Sequence, residues 1–260
     1  MVFSDFHFYS EVLGIQTAAY ILLPQPQVAA QSGSPIPVLY LLHGLSDDHT
    51  MWLRQTRVEQ YAQRYRLAVV MPAANRSFYM DMAHGAKYET FVSRELPSVI
   101  ERYFPVCRKR SGRFIAGLSM GGYGALINGL RYSDTFSKIG MLSPALGMYP
   151  ENGKMQPGSP LHRESMLALL GDPEHYHGSY RDYEAAMRKA LEKPQDMPRL
   201  FLACGTEDPL VYQAGRDFAH RMQAEGAPMT YYEAQGGHDH VFWKHAMTPL
   251  CEFLTAKGGK

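Results

Sequence analysis

Cysteine, tryptophan, net charge and long apolar runs are all scarce in this 260-residue chain. The three cysteines, Cys107, Cys204 and Cys251, show no paired spacing and no C-x-x-C, so they supply no disulfide framework and suit a reducing compartment. Cys204 lies in an apolar run and reads as a small buried hydrophobe. With 26 basic and 25 acidic side chains the formal charge is +1, so neither nucleic acid nor an anionic membrane surface is expected as partner. The densest run of charge, Arg108-Lys109-Arg110, reads as a solvated turn. No apolar stretch is long enough to span a bilayer. The first residues, Met1-Val2-Phe3-Ser4-Asp5-Phe6, have neither the basic nor the apolar region of a signal peptide. The expected location is the cytoplasm.

What is present is an ordinary globular composition, 45% hydrophobic and 20% charged, long enough to bury its own core. Residues 5–23 hold two apolar stretches broken near Ser10-Glu11, which predict two leading strands before a loop at 24–37. Unbroken apolar runs follow at 38–42, 67–71, 114–116, 139–142 and 200–204. Such runs belong to strands buried on both faces, hence to a parallel sheet. Helical patterns separate them, at 56–65, 88–104, 120–131, 209–226 and 241–256. In the second of these, Phe91, Val92, Leu96, Val99, Ile100 and Tyr103 form one stripe, and Pro97 inside it predicts a kink or a shifted start. The alternation predicts a single doubly wound α/β domain with right-handed crossovers. Residues 145–197 break the rhythm. With helical patterns near 160–170 and 179–192, they read as a cap-like insertion able to overhang a site at the strand ends.

The chemistry begins at Gly117-Leu118-Ser119-Met120-Gly121, a G-x-S-x-G sequence placed between an apolar run and a helical pattern. A serine there sits at a strained backbone angle and projects from the turn. Gly117 and Gly121 keep Cβ atoms out of the strand–helix crossing, and Gly122 and Gly124 extend that clearance. The helix N-terminus sets free N–H groups beside an oxygen that becomes negative. A serine hydroxyl needs a general base near neutral pH, and in this architecture the acid and then the histidine follow it in the chain. Gly205-Thr206-Glu207-Asp208-Pro209 comes directly after an apolar run, where open α/β sheets bind ligands; Asp208 is the expected acid, with Glu207 as alternate. His238, in Gln235-Gly236-Gly237-His238-Asp239-His240, follows the last strand pattern and is the expected base. His240 has the wrong register. The His-Asp-His triplet lacks the spacing of a metal site, and no metal is expected. His175 and His177 are expected to face solvent. At Leu41-Leu42-His43-Gly44-Leu45 a strand ends on a glycine. The N–H of Leu45 joins that of Met120 as expected donors to an oxyanion.

Taken together, Leu41–Leu45 with Trp52 after it, Gly117–Ala125, Cys204–Asp208, and Gly236–Asp239 followed by Phe242-Trp243 resemble the esterase D-like branch of the α/β-hydrolases. That branch includes tributyrin esterases, feruloyl-type esterases, S-formylglutathione hydrolases and mycolyltransferases. The resemblance spans nearly the whole chain in the right order. It implies an α/β-hydrolase fold, a Ser119–Asp208–His238 triad, oxyanion donors at Leu45 and Met120, and no cofactor. It also implies a carboxylesterase for small short-acyl esters, and leaves a homo-oligomer open. Gly44, Trp52, Tyr149 and Trp243 are expected near the pocket. Two departures stand out. S-formylglutathione hydrolases tend to carry His where Leu118 stands and a cysteine after the first glycine motif, so thioester hydrolysis or acyl transfer ranks second here. The family also often has Trp at the place of His240.

Overall fold

The computed structural model describes residues 1–25, 35–147, 161–172 and 176–256. Eight strands form one sheet: β1 (Val2–Ser10), β2 (Ile15–Leu23), β3 (Val38–Leu42), β4 (Ala68–Pro72), β5 (Arg113–Leu118), β6 (Lys138–Leu142), β7 (Arg199–Gly205) and β8 (Met229–Ala234). Their order across the sheet is β1-β2-β4-β3-β5-β6-β7-β8. The β1–β2 and β2–β4 pairs are antiparallel and every later pair is parallel. The mostly parallel sheet is the one that the apolar runs predict, and its eight-stranded order fits the α/β-hydrolase fold that the resemblance implies.

Those runs are continuous because both faces of the sheet are covered. Along β3, Val38, Tyr40 and Leu42 enter one apolar cluster while Leu39 and Leu41 enter the other, as a two-residue side-chain period requires. Helices α1 (Met51–Gln55), α2 (Val58–Tyr65) and α9 (His240–Thr255) belong to one face. Helices α3 (Tyr88–Thr90), α4 (Leu96–Tyr103), α5 (Met120–Arg131) and α8 (Tyr212–Ala224) cover the other. The three cysteines are free and buried. Among the described residues, no helix is long and apolar enough to cross a membrane.

The stripe at 88–104 is not one regular helix. A π-helical stretch, Phe91–Glu95, joins α3 to α4, and the Leu96 N–H bonds the Phe91 carbonyl. Pro97 follows directly on this stretch, and the wider π-helical turn ahead of it takes up the missing N–H. The run from Tyr88 to Tyr103 is helical without a break, so the helix does not start afresh at Pro97; a π-helical turn is inserted ahead of it instead. Leu96 and Ile100 of the stripe stay buried, while Tyr103 at its end is 63% exposed. From residues 145–197, α6 (Arg163–Leu170) and α7 (Tyr183–Leu191) are described. They pack Met166, Leu169, Leu170 and Met187 into the α5 side of the core.

The middle of the molecule is closed by glycines. A Cβ on Gly121, in α5, would lie 2.6 Å from the carbonyl oxygens of both His43 and Leu42, and one on Gly117, in β5, would lie 2.5 Å from the Gly121 carbonyl. These contacts are backbone to backbone and cannot yield by rotating a side chain. In Gly121→Ala, helix propensity favours alanine by about 1 kcal/mol, while overpacking costs about 1–3 kcal/mol or more. The expected outcome is a net loss of unfolding free energy in urea titration. A stabilised variant would show that α5 does not cross β3 this closely.

Candidate active site

Ser119 occupies the turn between β5 and α5, with φ 51° and ψ −115°. That left-handed angle is costly for a residue with a side chain. It is held by main-chain bonds on both sides: the Ser119 N–H donates to Leu142 O at 2.9 Å, and the Ser119 carbonyl accepts from Tyr123 N and Ala145 N at 3.1 and 3.0 Å. Asp208 follows the carboxyl end of β7, and His238 lies in the loop between β8 and α9.

The structure brings these three side chains together. His238 Nε2 is 2.9 Å from Ser119 Oγ, and His238 Nδ1 is 2.7 Å from Asp208 Oδ2. The Asp208 side chain is fully buried and that of His238 is 17% exposed. Burial pushes the Asp208 carboxyl up, but the hydrogen bond and charge of His238 together with the N–H groups of Leu210 and Val211 outweigh it, and the carboxyl ends below its ordinary value. An ionised Asp208 only accepts, so the Nδ1 proton belongs to His238 and Nε2 presents its lone pair to the serine hydroxyl. Glu207 is turned away: it is exposed and accepts from Gln235 Nε2 at 2.9 Å. The ring of His240 packs against Trp243 at 5.2 Å. Asp239 caps α9 through the N–H groups of Val241 and Phe242, which fixes where His238 leaves the loop.

The serine opens on a cavity of about 230 Å³ lined by Gly44, Leu45, Phe78, Leu118, Ala145, Leu210 and Trp243, among others. Met120 lines it too, and no acceptor among the described residues meets the N–H of Leu45 or of Met120. Trp243 stands edge-on to His238 at 5.1 Å and donates its indole N–H to Ser143 Oγ at 3.1 Å. Trp52 is not part of the wall. It is fully buried in the α1 side of the core, and its indole N–H donates to Leu42 O at 3.1 Å. From residues 145–197, only Ala145 among the described residues lines the cavity. His177 is exposed; Tyr149 and His175 lie outside the described residues.

One residue carries more than the sequence revealed. His43 is buried, its Nδ1 is 2.8 Å from Gly44 O, and its Nε2 accepts from the Ala74 N–H at 3.1 Å. Those partners fix the neutral tautomer with the proton on Nδ1. The imidazole therefore grips the carbonyl of the peptide whose N–H belongs to Leu45. Tyr79 O–H bonds His43 O at 3.0 Å, and Asn128 bonds Tyr79 O in turn. The signal available in sequence was a histidine directly before Gly44, at the end of an apolar run.

The class of protein follows from this geometry and from its relatives. Residues 10–254 match the family described as "Putative esterase". An acetyl esterase of Caldicellulosiruptor saccharolyticus is 34% identical over 263 residues, covering 98% of each chain. Among solved structures, the fluorophosphonate-binding serine hydrolase FphF of Staphylococcus aureus matches with a TM-score of 0.87 at 30% identity, covering 98% of this chain and 99% of its own. The S-formylglutathione hydrolase FrmB of the same organism matches with a TM-score of 0.84, with the same identity and coverage. The chain is a serine hydrolase of carboxylic esters. It belongs to the "Putative esterase" family.

Burial lowers the His43 pKa from 6.5 to about 4. Below pH 6.5 the unfolded chain takes up a proton at this position that the folded chain refuses, so stability is lost as pH falls from 6.5 towards 4. The stability advantage of the native protein over His43→Gln should therefore shrink by up to roughly 3 kcal/mol across that window. Urea midpoints measured at half-unit intervals check this. A constant difference would mean that the imidazole is not buried as a neutral group.

Proposed function

We propose that the chain hydrolyses short-acyl carboxylic esters through Ser119 as nucleophile, His238 as general base and Asp208 as its orienting acid. The observation that carries this reading is the unbroken hydrogen-bonded line from Asp208 through His238 to Ser119, ending at a small, largely apolar cavity. Ser119 Oγ attacks the ester carbonyl while His238 Nε2 takes its proton. The tetrahedral oxyanion is held by the N–H groups of Leu45 and Met120. Imidazolium His238, stabilised by Asp208, then protonates the leaving alcohol. Water, deprotonated by His238, attacks the acyl-enzyme and releases the acid and the free serine.

A cavity of about 230 Å³ lies below the usual range of roughly 300–1,000 Å³ for drug-sized ligands, which supports a short acyl chain. Leu118, Phe78 and Ala145 bound it. We read residues 145–197 as an insertion within a single domain, contributing Ala145 to that wall. The likeness to FrmB supports a second reading in which the same serine cleaves a thioester such as S-formylglutathione. Kinetics on p-nitrophenyl esters of rising chain length, beside S-formylglutathione and methyl ferulate, separate the two. The ester reading expects kcat/KM to peak at about two to four carbons, by order of magnitude from the cavity size. A preference of roughly a hundredfold or more for the thioester would transfer the assignment.

Ser119→Ala should lower kcat by about 10⁴–10⁶ with an unchanged circular dichroism spectrum, and should abolish labelling by a fluorophosphonate. Normal turnover in the folded variant would refute the nucleophile. Asp208→Asn should cost about 10⁴ in kcat by favouring the wrong tautomer. In the native protein kcat/KM should climb with pH to a plateau, as general-base catalysis by an imidazole requires. A flat profile from about pH 5 to 8 would exclude a histidine base.

A further inference from the structure

Strand β1 is the outer edge of the sheet, paired with β2 along its full length in an uninterrupted register. It is nine residues long, with no proline, no lysine and no bulge. Those are three of the devices that ordinarily blunt a long edge; the side chains it does carry that ionise near or below neutral pH are Asp5 and His7, on one face. Its side chains alternate. Phe6 and Phe8 turn beneath the sheet onto Phe104 and Phe91. Phe3, Asp5, His7 and Tyr9 share the opposite face, with Phe3 46% and Tyr9 52% exposed. Asp5 Oδ1 lies 3.0 Å from His7 Nε2.

That face is its own complement. About Phe6, an antiparallel copy of the strand sets Asp5 opposite His7 and Phe3 opposite Tyr9, each pair occurring twice. We propose that β1 pairs antiparallel with β1 of a second copy, centred on Phe6, joining two eight-stranded sheets across a two-fold axis. The main-chain geometry permits it. Pairing with β2 engages the N–H and C=O groups of alternate residues, and those of the others point outward. A two-fold centred on a residue brings outward groups of one strand to outward groups of the other. Main-chain bonds supply adhesion and the side-chain pairs select the register. Moving the centre to Asp5 sets carboxylate against carboxylate, and moving it to His7 sets imidazole against imidazole. Of these three centres, Phe6 alone pairs each acid with a histidine. The axis lies four strands away from β5, so the cavity at Ser119 stays open in the pair.

Sedimentation velocity across concentrations up to about 100 µM, with native mass spectrometry of mixtures, tests this. The native protein is expected to dimerise. His7→Asp alone sets two acids against two acids, and Asp5→Lys alone sets an ammonium against an imidazole. Each should weaken association roughly tenfold or more. Mixed in equal amounts, the two variants should form a heterodimer. Asp5 of the first then faces His7 of the second, and the introduced carboxylate faces the introduced ammonium, so each pair again sets a carboxylate against a nitrogen donor. Circular dichroism verifies that each variant is folded. If either is not, Tyr9→Ser, at an exposed side chain, should still weaken the dimer by roughly five- to thirtyfold. A native protein that stays monomeric throughout overturns the proposal. So does a dimer indifferent to these substitutions, or a mixture that forms no heterodimer.

Discussion

The whole arrangement depends on one close crossing, where α5 leaves β5 and passes over the end of β3 with backbone against backbone. Gly117 and Gly121 have no Cβ at this crossing; one on Gly121 would meet the carbonyls of Leu42 and His43, and one on Gly117 would meet Gly121 itself. The crossing forces Ser119 to φ 51°, and the cost of that angle is met by the bonds to Leu142, Tyr123 and Ala145. The residues on either side of the crossing, Gly44 and Leu45 after β3 and Ser119 and Met120 at the start of α5, all line the cavity. Nucleophile, helix terminus and candidate oxyanion donors are thus one constraint seen from three directions. A loosened crossing would disturb all of them together.

Electrostatics then divides three groups by their surroundings. Asp208 is buried yet stays ionised, because three hydrogen-bond donors converge on its carboxylate. His43 is equally buried but meets one acceptor and one donor, so it stays neutral. His238 lies between these extremes, partly exposed, with a carboxylate on one nitrogen and a hydroxyl on the other. Two imidazoles from similar sequence settings, one just before and one just after a glycine, therefore receive opposite duties. The first is locked in one protonation state and braces a peptide. The second, in the proposed mechanism, exchanges its proton every cycle.

Much of this was legible in the sequence. Buried parallel strands write themselves as unbroken apolar runs, so β3 to β7 were visible, and the order of Ser119, Asp208 and His238 along the chain anticipated which side chains would meet. Asp208 rather than Glu207 reaches His238 because one loop residue turns inward after β7 while its neighbour faces solvent. Other features were hidden because they depend on contacts distant in sequence. Nothing local distinguishes a tryptophan that lines a pocket from one that fills the core, and Trp52 does the latter. The π-helical turn ahead of Pro97 reflects how the chain accommodates a missing N–H without giving up the apolar contacts of Phe91 and Leu96. The role of His43 required knowing that Ala74, thirty-one residues further on, returns to it.

The position of the chemistry within the sheet explains why its two ends can differ so much. β5 is flanked by β3 and β6, each in turn flanked by another parallel strand, so the serine turn rests on backbone that is paired on both sides. The antiparallel pair β1–β2 lies outside that parallel block. It can carry exposed aromatic side chains without straining the elbow, because a change at the edge reaches β5 only through three intervening strands. A rigid centre thus frees the margin to serve as a surface, and the proposed self-pairing of β1 would lengthen the sheet away from the site while leaving the entrance at Leu210 exposed to substrate.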